Sequence, residues 1–167
     1  MKTLRFILLY VVLLVAQIIL CNYFTLARYL LVSVLPVLIL LLPRHTGTIA
    51  AMFMAFACGF AVDFFSTGML GISSLALVPV ALVRRGLLVM VFGDEQNDRE
   101  DELTIARFGL PQVLLAVLFS NSIFFFVYIW ADSAGTVGFW PAALRFLLSV
   151  LVSTPIGALV VRLLRPE

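Results

Sequence analysis

Residues 59–77, GFAVDFFSTGMLGISSLAL, set one carboxylate, Asp63, near the end of an apolar run, then a tight turn and a second apolar run. Upstream, Gly47, Ala51, Ala55, Gly59 and Asp63 recur every fourth residue. That spacing keeps all of them on one face of a helix. A small-xxx-small face lets helix backbones approach closely, and in lipid such packing replaces the missing hydrophobic drive for association. Asp63 continues the face, so it is expected against protein and not against lipid. An acid at the centre of a membrane helix costs roughly 2.5–3.5 kcal/mol on insertion scales and is a functional-site candidate by default.

Composition fixes the class. The chain is 63% hydrophobic with a mean hydropathy of +1.18, against roughly 45–50% apolar usage in a soluble domain. This predicts a polytopic, all-α integral membrane bundle. At roughly 20 apolar residues per crossing, the 167 residues hold about six spans and leave no room for a soluble catalytic domain. The predicted spans are 6–21, 26–42, 47–65, 70–92, 108–130 and 140–164, within a single transmembrane domain over 1–167. The start resembles a signal peptide, with Lys2 and Arg5 ahead of an apolar run and Cys21 beyond it. Leu20 is too bulky for a cleavage site and the run is long for a signal, so a retained first helix is expected.

Orientation follows from the Lys and Arg bias of short loops. Lys2, Arg5, Arg44, Arg84, Arg85, Arg99, Arg107, Arg162 and Arg165 fall on one side, with Arg28 and Arg145 on the other. Both termini are therefore expected in the cytoplasm. Arg84 and Arg85 interrupt the fourth span early. The expectation is that the helix leaves the bilayer there, with GLLVMVF along the inner surface and the arginine heads snorkelling to lipid phosphate. A cytoplasmic acidic loop, 93–107, follows and holds Asp94, Glu95, Asp98, Glu100, Asp101 and Glu102. A solvated linker is the first reading of such a run, and a steering patch for a basic partner is the second. No basic patch with interleaved aromatics supports nucleic-acid binding.

Asp63 lies near the outer end of its helix, where the dipole disfavours an anion, so something must compensate. One reading is a cap that reaches across FSTGM to the free amides at the start of the fourth helix, with Ser66 or Thr67 as its companion. Another uses the sixth span, where Arg145, Ser149, Ser153 and Gly157 repeat the same spacing and Arg145 lies at the depth of Asp63. There Arg145 pairs with Asp63 across a helix interface, or a partner's helix supplies the polar group. Ser120, Asn121, Ser122 and Gln17 read as interhelical hydrogen-bonding residues. Trp130, Trp140 and Tyr23 suit the interfacial aromatic belt. Pro36, Pro79 and Pro155 each remove a backbone donor inside a predicted span. Cys21 and Cys58 have no CxxC spacing and read as buried structural thiols. The single His45 has no companions for a metal or catalytic site, so no metal, cofactor or enzymatic activity is expected.

The residues Gly59, Asp63, Leu70, Gly71 and Leu75, in the spacing G-x(3)-D-x(6)-L-G-x(3)-L after the LPRHTG turn, resemble the rod shape-determining protein MreD family. The specific likeness covers residues 42–77; elsewhere it rests on length and topology. It implies a non-enzymatic scaffold of the bacterial cell-elongation complex in the inner membrane, the elongasome that inserts peptidoglycan into the side wall. The implied partner is the transmembrane helix of MreC, with MreB, RodA and a class B penicillin-binding transpeptidase nearby. It further implies an architecture similar to the substrate-binding subunits of energy-coupling-factor transporters. Two function classes follow. A scaffold holds a partner helix through the small-residue stripe and the Leu70, Gly71, Leu75 turn. A small-molecule transporter subunit encloses a pocket near Asp63, Asn121 and Arg145. Homo-oligomerisation through the stripe is a further use of the same face.

Overall fold

Four helices of the computed structural model are long and apolar enough to cross a membrane: Thr48–Ser66, Ile72–Phe92, Leu110–Ser133 and Phe139–Arg162. The structure describes residues 2–24, 31–42, 46–66, 70–93, 109–133 and 138–164. Its elements are α1 (Lys2–Phe24), α2 (Leu35–Leu40), α3 (Thr48–Ser66), α4 (Ile72–Phe92), α5 (Leu110–Ser133) and α6 (Phe139–Leu164), with no strand among the described residues. The acidic run from Asp94 onward lies outside the described residues, as do Arg28, Arg44, His45, Thr67, Arg99, Arg107 and Arg165.

The second predicted span requires correction. A continuous helix over 26–42 is expected, yet residues 31–34 are not helical and α2 covers only Leu35–Leu40. Pro36 therefore does not kink a long helix. It occupies the first turn of a short one, where its missing N–H costs nothing. Every residue of α2 is buried. This half-helix touches all five other helices, which is how a segment apolar all round finds cover. Leu35, Leu38, Ile39 and Leu42 join one core with α3, α4 and α5, while Val34, Val37, Leu40 and Leu41 join a second with α4, α5 and α6.

The fourth span also differs from expectation. α4 runs unbroken from Ile72 through Arg84 and Arg85 to Phe92. Its 21 residues extend about 30 Å, so the helix does not end at the arginines. Arg85 is exposed, but Arg84 points inward and is buried. Pro79 and Pro155 lie inside α4 and α6. α3 packs on α4, α4 on α5 and α5 on α6, with α1 against α3. The outward face of α3 carries Phe53, Phe56, Phe60 and Phe64.

Candidate functional site

The corner between α3 and α4 is assembled from the residues of the Gly59 to Leu75 spacing. Ala51, Ala55, Gly59 and Asp63 are buried, whereas Gly47 is exposed just before α3. Ala51, Ala55 and Val62 pack with Ala76, Leu77, Val80 and Ala81 of α4. The stripe is thus spent on internal packing. At Gly59 the approach is closest: a Cβ there would sit 2.5 Å from Ser74 N and 2.6 Å from Ser74 Cα. No side chain fits that gap. The hydroxyl of Ser74 donates back to the Phe56 carbonyl at 3.0 Å, adding a polar tie to the crossing.

Asp63, fully buried, reaches forward. Its Oδ2 accepts from the backbone N–H of Gly71 at 2.9 Å and of Ser73 at 2.9 Å. These are amides that the first turn of α4 leaves without intrahelical partners, and a carboxylate there also faces the positive end of the helix dipole. Gly71 supplies the bend, with φ 102°, a left-handed conformation that glycine adopts at no steric cost. Ser66 does not share the cap; its hydroxyl donates to the Val62 carbonyl at 2.5 Å. Leu70 and Leu75 flank this corner and are 56% and 53% exposed. Phe64 and Phe65, at the end of α3, are exposed beside them.

Arg145 does not pair with Asp63. Its Nη1 donates to Asp132 Oδ2 at 2.6 Å, closing α5 against α6 with both side chains partly exposed. Asp132 lies one turn beyond Tyr128 on α5, so the local hairpin partner is nearer to Arg145 than the α3–α4 corner is. Asn121 is fully buried beside Gly157, and neither its amide nitrogen nor its oxygen has a partner among the described residues.

A second polar assembly holds the non-helical stretch at 31–34. Gln17 of α1 accepts from Val34 N–H at 2.7 Å and donates to the Val32 carbonyl at 3.2 Å. Ser149 of α6 accepts from Leu31 N–H at 3.1 Å, and Ser153, one turn on, accepts from Ser33 N–H at 3.3 Å. Irregular backbone inside a membrane bundle is tolerated only where protein or water satisfies it. Three side chains from two helices do so here. At the other end of α2, the Arg84 guanidinium donates from Nε to the Leu40 carbonyl at 3.4 Å and from Nη2 to the Leu42 carbonyl. Sequence reading takes Gln17 as a generic polar contact and Ser149 and Ser153 as followers of Arg145. Their common target, an opened backbone, has no signature in an apolar run.

Fold and site together define an all-helical chain with four helices able to cross a membrane and an interior organised around a broken helical segment. No protein-family model, curated protein or solved structure matches the chain.

Proposed function

We propose that this protein is a non-enzymatic scaffold subunit of the bacterial cell-elongation complex, of the MreD kind. It resides in the inner membrane with both termini cytoplasmic and holds the transmembrane helix of MreC, with MreB, RodA and a class B penicillin-binding transpeptidase assembled around that pair. About six crossings result when α1 and the broken 31–42 segment are counted with the four long helices. In that segment the non-helical residues 31–34, of which Val32, Ser33 and Val34 are buried, lead into the short helix α2. A likeness to energy-coupling-factor substrate-binding subunits belongs to this same proposal.

The observation that carries the reading is the α3–α4 corner. Gly59, Asp63 and Gly71 are used up in holding the hairpin, and Leu70 and Leu75 stand outward on that rigid base. Two outward apolar side chains at the Asp63-capped start of α4 bind a partner helix with little ordering cost. The test is affinity purification of the tagged chain from its native membrane, followed by mass spectrometry. Wild type is expected to bring down MreC and wall-synthesis proteins, and Leu70→Ala/Leu75→Ala to lose them while eluting and melting as wild type does. Equal recovery with both leucines removed sinks the assignment of the contact, and recovery of no wall-synthesis protein sinks the function.

A transporter subunit is the second reading, favoured by the broken α2, since discontinuous helices mark substrate sites in many transporters. The cavity beside that break has a volume of about 20 Å³, whereas organic ligands occupy pockets of roughly 300–1,000 Å³. The scaffold reading is therefore preferred.

A further inference from the structure

The cavity lies where α1, the opened 31–34 backbone, α3, α4 and α5 meet, and Gln17, Cys21, Ser33, Ser66, Ser73 and Tyr128 are the polar residues among its mainly apolar lining. Its volume of about 20 Å³ exceeds the roughly 10–15 Å³ that one water needs, and a buried water also requires two to four polar partners. The hydrogen-bond inventory of the wall supplies them. Gln17 spends both amide hydrogens, on Cys21 Sγ at 3.1 Å and on the Val32 carbonyl. Its oxygen takes the Val34 N–H and keeps one lone pair. Ser66 has given its proton to the Val62 carbonyl, and its oxygen, which also meets the Cys21 thiol, keeps a lone pair to accept with. Ser33 Oγ accepts from Leu35 N–H at 3.4 Å and retains a proton to donate. The hydroxyls of Ser73 and Tyr128 are engaged by no other described residue.

Donors and acceptors are thus left over among the residues that line a space the size of one water. We propose that this cavity is a hydration site, in which a single ordered water accepts from the Ser33, Ser73 or Tyr128 hydroxyls and donates to Gln17 and Ser66. A water with two protons and two lone pairs matches that set. It would tie the opened backbone of the second segment to α3, α4 and α5, one turn away from the Asp63 corner, through bonds that no direct contact provides.

Radiolytic hydroxyl-radical footprinting of the full chain in detergent tests this. Radicals formed from a bound water oxidise the side chains touching it despite their burial. Cys21 and Tyr128 are expected to be modified several-fold faster than Cys58 and Tyr10, which contact each other at 3.6 Å and do not line the cavity. Ser73→Val removes a donor and fills space, and should bring Cys21 and Tyr128 down to the rate of that internal control. Should Ser73→Val fail to fold, Tyr128→Phe keeps the ring in place and must at least halve Cys21 labelling. The proposal is overturned by wild-type rates no higher than those of Cys58 and Tyr10. It is equally overturned if labelling is unchanged in a folded Ser73→Val chain, or in Tyr128→Phe where Ser73→Val does not fold.

Discussion

Asp63 and Arg84 are the buried charged side chains among the described residues, and they meet opposite ends of helices. Asp63 collects two orphan N–H groups at the start of α4; Arg84 covers carbonyls at the close of α2. Each charge has the sign that its helix end attracts. The settings differ in what else holds the joint. Around Asp63 the backbones are already in contact through Gly59, and the carboxylate completes a hairpin that close packing defines. Around Arg84 the half-helix follows the non-helical residues 31–34, and side-chain bonds and apolar packing from the other helices hold it in place. A buried charge is therefore an accessory at the first site and a principal tie at the second.

The comparison can be broken in order of effect. Gly59→Leu forces a Cβ to within 2.5 Å of Ser74 N and should leave no monodisperse protein in size-exclusion chromatography. Overpacking of even one carbon costs about 1–3 kcal/mol. Arg84→Met removes charged donors from buried carbonyls and should lower stability by about 1.5–3 kcal/mol, read by reversible unfolding in mixed micelles. Asp63→Asn keeps an acceptor oxygen for the α4 amides and should cost less, about 0.5–2 kcal/mol; a larger loss here than at Arg84 would reverse the ranking of the two joints. Ser149→Ala and Ser153→Ala each withdraw one acceptor from the opened backbone. Each should cost about 0.5–1.5 kcal/mol, with faster amide exchange confined to residues 31–34. Arg145→Ala breaks only a partly exposed pair with Asp132 and should stay below about 1 kcal/mol, leaving the Asp63 corner untouched.

The α3–α4 hairpin is legible in the sequence because its determinants are local. Gly59, Asp63 and Gly71 lie within one turn-connected stretch, and the fourfold spacing places the first two on one face. A forward cap by Asp63 is among the arrangements that spacing allows, and the pairing with Arg145 falls away because Asp132 sits closer along the α5–α6 hairpin. The break in the second segment is not legible. Residues 31–42 are apolar throughout apart from Ser33, and nothing among them forbids a helix until Pro36. What opens the backbone is distant: Gln17 on one side, Ser149 and Ser153 on the other. Arg84 is misread for a related reason, since positive charge in a span ordinarily snorkels, and only a nearby helix end gives it a better destination.

Membrane helices ordinarily insert one at a time because each satisfies its own backbone before meeting its neighbours. The second segment cannot do so. Its amides at Leu31 and Ser33 find their acceptors 118 and 120 residues later in the chain, on α6. Until α6 is in place, those two amides lack the acceptors that it supplies. Closure of this segment is thus linked to α6. Loss of both the Ser149 and Ser153 hydroxyls would leave the Leu31 and Ser33 amides without those acceptors inside the bundle.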